Sequence, residues 1–176
     1  MADVADLLAR AKRRETTAAV CLAGDLNAEH EELSRQLQAL GEAWTPDSLS
    51  AANPRRALAE RITDLEQQMA EQVHVFRFRA LSTARFRELQ RAHPPREDAQ
   101  PPERLFNVDT FTPVLVAACC VDPEFSGVEQ VQELFDKLGQ GAFDTAFTAA
   151  WSACTGASDV PKSALASATI RSTAPS

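Results

Sequence analysis

From Leu26 onward the apolar residues return at alternating steps of three and four: Leu26, Leu33, Leu37, Leu40 and Trp44, with His30 filling one seam position. That spacing predicts a helix with a narrow apolar stripe. Thr45-Pro46-Asp47 and Asn53-Pro54 interrupt it, and the pattern resumes as Leu58, Ile62, Leu65 and Met69. Two helices of about four turns, joined by a proline-containing loop, should fold back as an antiparallel pair. The repeat lasts barely three heptads, too few for a long coiled coil.

Ahead of this pair, Val4, Leu7, Leu8 and Ala11 follow Asp3 at helical spacing and run into Lys12-Arg13-Arg14. A short capped helix is expected there. Thr16 to Leu22 is β-branched and apolar and closes on Gly24-Asp25, which reads as a strand. Behind the pair, Val73 to Leu81 alternates Phe76 and Phe78 with Arg77 and Arg79, the period of a half-buried strand. The two strands can pair and close the hairpin at its base, provided that neighbouring helices cover them.

The rest predicts a bundle. Ser82 or Thr83 caps a helix carrying Phe86 and Leu89 that stops before Pro94-Pro95, and a polar, proline-rich loop runs to about Glu103. The next helix is expected between Asn107 and Val121. Its second half, Val114 to Cys120, is almost wholly apolar and so belongs at the centre of the core. Ser126-Gly-Val-Glu129 matches a capping box ahead of a stripe of Val128, Val131, Phe135 and Leu138. Gly139 and Gly141 separate it from a last helix with Phe143, Ala146, Phe147, Ala150, Trp151 and Cys154 on one face, stopped by Gly156.

The fold class is therefore mainly α: a small helical bundle with an N-terminal helical hairpin and provision for one short two-stranded β-ribbon. Residues 1–25 supply the short helix and strand, 26–72 the antiparallel helical hairpin, and 73–156 a strand plus the bundle. Residues 157–176, rich in Ala, Ser and Thr with Pro161 and Pro175, read as a disordered tail.

Composition narrows the class of function. In 176 residues, 44% hydrophobic and 24% charged is a globular balance, and the net charge of -7 argues against whole-surface binding to nucleic acid or anionic membrane. The charge is uneven, because residues 73–104 form a basic band between acidic flanks. No apolar run approaches the length that spans a bilayer, and the first residues lack a secretory pattern, so the expected location is the compartment of synthesis. Cys21, Cys119, Cys120 and Cys154 fit no disulfide framework or zinc motif and read as buried free thiols.

No local signature of catalysis, cofactor binding or metal binding is present. His30, His74 and His93 lie on different predicted elements; His30 reads as a register-fixing seam residue and His93-Pro94-Pro95 as a helix stop. Cys119 and Cys120 read as small hydrophobes in a segment without a positive neighbour. Asp109, Asp122, Asp136 and Asp144 read as caps, turns or solvated helix faces, not as paired carboxylates. The band Arg77, Arg79, Arg85, Arg87, Arg91 and Arg96, interleaved with Phe76, Phe78 and Phe86, is the one feature suited to phosphate contacts and base stacking. Internal pairing with the acidic regions, or docking to an acidic partner, is its competing and favoured explanation.

Three stretches in order carry a resemblance: Arg79-Ala-Leu-Ser-Thr-Ala-Arg-Phe-Arg-Glu-Leu with His93-Pro-Pro, then Phe106-Asn-Val-Asp-Thr-Phe-Thr-Pro-Val-Leu-Val-Ala-Ala-Cys, then Leu134-Phe-Asp-Lys-Leu-Gly-Gln-Gly-Ala-Phe-Asp-Thr-Ala-Phe. Over about residues 73–156 the chain resembles the tail assembly chaperones of long-tailed bacteriophages, especially those of actinobacterial phages. The resemblance implies a non-enzymatic helical protein of the host cytoplasm, absent from the mature virion. It implies that such a protein binds the tape measure protein and keeps it assembly-competent while the tail tube forms, with the tail tube protein as a further candidate partner. It also implies, often, a second product made by translational frameshifting. Residues 26–72 match less clearly. The resemblance assigns no contact residue; a groove on the 106–154 bundle and the unpaired edge of the 26–72 hairpin are the candidate places, and substitution of Phe143 or Trp151 is expected to unfold the bundle. A nucleic-acid-binding module using Arg77 to Arg96 is the alternative, and an enzyme of unfamiliar type ranks third.

Overall fold

A computed structural model describes residues 3–41, 53–97 and 105–157. Asp3 accepts from the Ala5 amide and caps α1 (Val4–Arg10), whose Asp6 and Arg10 sit at the helix ends that favour their charges. β1 (Glu15–Cys21) follows, then α2 (Gly24–Ala39) and α3 (Pro54–Glu71), the latter begun by an Asn53 cap and a proline in its first turn. β2 (Val73–Arg79) returns antiparallel to β1, pairing Glu15 with Arg79 and Cys21 with Val73. The hairpin thus grows from the end of the ribbon, closed by a Leu22 N–H donated to the Gln72 carbonyl at 3.0 Å. Trp44, the Thr45-Pro46-Asp47 break, most of the 94–103 loop from residue 98 on and the 158–176 tail lie outside the described residues.

The second half is α4 (Thr83–Ala92, capped by Ser82), α5 (Val108–Cys119, capped by Asn107), β3 (Cys120–Asp122), α6 (Val128–Leu138) and α7 (Gln140–Thr155). The mainly α class holds, but the ribbon has three strands, in the order β1-β2-β3. The helix expected to reach Val121 ends at Cys119, because Cys120 turns extended at the helix end and pairs with Phe78. An apolar run does not distinguish a buried helix from a buried strand, which is why the sequence hid the change. The capping box at Ser126 and Glu129 does not form. Gly127 is the cap residue of α6 without a side-chain bond, and the Gln130 side chain instead accepts from the Ser126 amide at 2.9 Å.

One face of the sheet is the floor of the core. Ala18, Val20, Phe76 and Phe78 alternate inward and join Phe111, Leu115, Val116 and Val131 from the helices above. α5 is central as expected, packing on α6, α7 and α4 and reaching β2. α7 is buried on two sides, not one. Ala146, Ala149, Ala150 and Ala153 are its most buried residues, while Phe143, Phe147, Trp151 and Cys154 flank them, half-buried. Alanine has no bulk to hold a helix away from a sheet, so α7 lies close enough for the Thr16 hydroxyl to donate to the Ala149 carbonyl at 2.8 Å.

Candidate partner-binding groove

α6 and α7 meet at Gly139, which ends one helix and begins the next at φ 86°, a left-handed backbone that glycine adopts without steric penalty. The sharp corner splays the two helices over the start of α5. Between the three lies a groove of about 620 Å³. Val108, Pro113, Phe135, Phe143 and Phe147 supply its apolar walls, and Asp109, Asp136 and Asp144 stand around it. Its volume is in the range of ordinary ligand pockets, but its charged and amide side chains, Asp109, Gln132, Asp136, Gln140 and Asp144, are all exposed, and the buried Thr112 hydroxyl is turned to the Val108 carbonyl of its own helix.

The aromatic walls are held from behind. Phe135 and Phe143 meet edge to face at 5.5 Å, and Phe147 leans on Trp151 at 6.1 Å. Trp151 in turn touches the Phe86, Phe106 and Phe111 rings, so the groove is backed by the bundle's aromatic cluster. Pro113, inside α5, lacks the N–H that would bond one turn back, and the Thr112 hydroxyl donates to the neighbouring Val108 carbonyl at 2.8 Å. Phe143, expected as a bundle core residue, is half-buried and open to the groove.

The carboxylates expected as caps and solvated positions divide. Asp109 pairs with Arg96, and Asp144 accepts from Gln140 at 2.7 Å. Asp122 is elsewhere, beside Arg77 at 3.9 Å. Asp109, Asp136 and Asp144 come from three helices, and each sits on the polar flank of its own stripe. Helical periodicity marks those flanks; only the docking of the helices brings them to one rim.

The histidines stay apart. His30 faces Glu66 across the hairpin at 3.3 Å, His74 lies edge-on to Phe76, and His93 ends α4 beside Phe111. Among the described residues no group of three or more His, Cys, Asp or Glu is placed to hold a metal. In the basic band, Arg77 pairs with Asp122, Arg79 with Glu15, Arg85 with Glu88 and Arg96 with Asp109. Three of these pairings reach carboxylates of the acidic flanks and Arg85–Glu88 lies within the band, so that among the described residues Arg87 and Arg91 alone of the six form no ion pair.

The thiols hold one arrangement that the sequence reading missed. Cys119 and Cys154, 35 residues apart, bring their sulfurs to 3.5 Å between α5 and α7. The Leu81 amide also donates to the Cys154 sulfur at 3.5 Å. A hydrogen bond from the Cys119 thiol stabilises a thiolate on the less buried Cys154, whose pKa falls to about 7, while that bond and burial push Cys119 up. Burial, with the nearby Asp122 charge, raises Cys120 to about 11. The signal expected for a low-pKa thiol was a positive neighbour; here the stabilising donors are a second thiol and an amide.

No helix among the described residues is long and apolar enough to cross a membrane. Compared with family models, curated proteins and solved structures, the chain matches none.

Proposed function

We propose that this chain is a phage tail assembly chaperone whose α5–α6–α7 groove covers an apolar stripe of the tape measure protein. The reading joins the resemblance over residues 73–156 to one observation: an open groove with aromatic walls and an acidic rim, built by the bundle that carries the resemblance. A long helix awaiting enclosure exposes apolar side chains at steps of three and four, and laying such a stripe in a groove removes it from water. Asp136 and Asp144 favour a stripe flanked by Lys or Arg. In this reading the protein binds without catalysis, acts in the host cytoplasm and leaves before the virion is complete.

Co-expression with the long helical protein encoded beside it tests the reading. The expected result is a higher soluble yield of the partner and a complex that survives high salt, because apolar burial is little screened. Asp136→Lys with Asp144→Lys, both exposed positions, should weaken the complex while leaving the thermal melt of the free chain unchanged. No rescue and no co-purification would defeat the proposal. Nucleic-acid binding through the arginine band is less favoured, since phosphates would first have to displace the four carboxylate pairings.

A further inference from the structure

β1 is an edge strand. β2 covers one side of it, and among the described residues no strand pairs with the other. Exposed edges are commonly blunted by charge, proline or a bulge. Between Glu15 and Cys21 the sequence Thr16-Thr17-Ala18-Ala19-Val20 has none of these, and its register with β2 is unbroken. Beside that edge runs a second groove, about 540 Å³, between the strand and the small residues Thr145, Thr148, Ala149 and Ser152 of α7.

Charge at the two ends of β1 favours one occupant. Lys12 and Arg13 precede the strand and are exposed, with no carboxylate within ion-pair distance among the described residues. The opening of α2, just past the strand's other end, carries Asp25 and Glu31, which form no ion pair among the described residues, beside Glu29 and Glu32, which pair with Arg61 and Arg35. Seven extended residues separate these groups by about 23 Å, so they cannot meet within one chain. An antiparallel neighbour with the same sequence brings each basic end to the other's acidic end. Apolar surface is exposed at both ends as well, Val4, Leu7 and Leu8 in α1 and Leu22 at the hairpin base, and the reversal carries Leu22 of one copy to the end of the other's strand that α1 precedes.

We infer that β1 pairs with β1 of a second copy about a two-fold axis at Ala18, joining two three-stranded sheets into one of six strands. The interface is self-complementary. Thr16 faces Val20 of the second copy and Thr17 faces Ala19, while Ala18 meets its own equivalent, and the α7 helices lie side by side through their small residues. The two grooves lie on different sides of α7 and share one lining residue, Asp144.

Light scattering on the full chain across the micromolar range reads the mass directly; a dimer is expected, and a monomer throughout would overturn the inference. Two double variants then test the register. Thr17→Glu with Ala19→Glu places like charges opposite one another at both symmetric positions, and should weaken association at least about tenfold. Thr17→Glu with Ala19→Lys adds as many charged groups, with no net charge, and makes two opposite-charge pairs, so it should restore the dimer. Both variants set the carboxylate introduced at position 17 across from Arg77 on the open sheet face, so each chain should melt like the wild type. A dimer that resists both substitutions, or is lost equally in both, would overturn the pairing.

Discussion

The body and the hairpin use the same helical periodicity and bury it to different depths. In the body, Phe76, Phe78, Phe111, Leu115, Val116 and Val131 are almost wholly enclosed by a sheet below and helices around. Among the described residues of the hairpin Leu65 alone is fully buried; Leu26, Leu33, Leu37, Leu58, Ile62 and Met69 stay half-covered. A two-helix unit offers each stripe one neighbour, whereas α5 has several. Stripe spacing therefore predicts that a helix forms, and the number of neighbours decides how firmly it is held.

The largest expected effect follows from that contrast. Phe78→Ala removes a side chain with no exposed surface from beneath α5 and α7, and should cost about 3 to 5 kcal/mol. Against a domain stability of about 5 to 15 kcal/mol, urea denaturation should show most of the stability gone. Leu65→Ala is equally buried at its own position, but its half-exposed neighbours have room to close in, so about 2 kcal/mol is expected. Its loss should also be local. Hydrogen exchange should quicken in α2 and α3 while the amides of α5 and α7 keep their protection. Equal acceleration in both regions would show that hairpin and body unfold as one unit.

A smaller effect belongs to the thiol pair that joins α5 to α7. With the Cys154 pKa lowered to about 7 from an ordinary 9, the native chain sheds this proton before the unfolded chain does. The pair's contribution should grow as pH rises from about 7 to 9 and vanish below 7. Above 9 the unfolded chain also ionises Cys119, which the fold keeps neutral, so stability should then decline. Denaturation from pH 6.5 to 10 should trace this rise and fall in the wild type and lose the rise in Cys154→Ala. Alkylation of Cys154 should have its midpoint near pH 7, and a midpoint near 9 would contradict the shared hydrogen bond.

What the sequence revealed follows from the range of its signals. Caps at Asp3 and Ser82, stripes such as Val131-Phe135 and the alternation of Phe76 and Phe78 are local, and each lies in the element it forecasts. The pairing of β1 with β2 was legible because two strand patterns flanked one hairpin. β3 was not, because Cys120 and Val121 continue an apolar run with no turn residue to mark the change. Ser126 and Glu129 show that a matching motif competes with neighbours, since Gln130 took the bond that Glu129 was expected to make. The groove and the thiol pair join residues 27 and 35 positions apart, Asp109 to Asp136 and Cys119 to Cys154, and single-helix periodicity says nothing about such meetings.

The smallest effect should be found where the hairpin's helices touch through charge. The Arg61 guanidinium donates twice to one Glu29 oxygen, at 3.2 and 2.7 Å, with both side chains about half exposed. Water competes for both partners and ordering two long side chains costs entropy, so a double-mutant cycle of Glu29→Ala and Arg61→Ala should give a coupling of about 0.2 to 1 kcal/mol, less at high salt. Coupling well above this range would mean that the hairpin relies on its surface pairs instead of on the Leu65 stripe. The order of the Leu65 and Arg61 effects would then reverse, and with it the conclusion that enclosure, more than charge, separates the two regions.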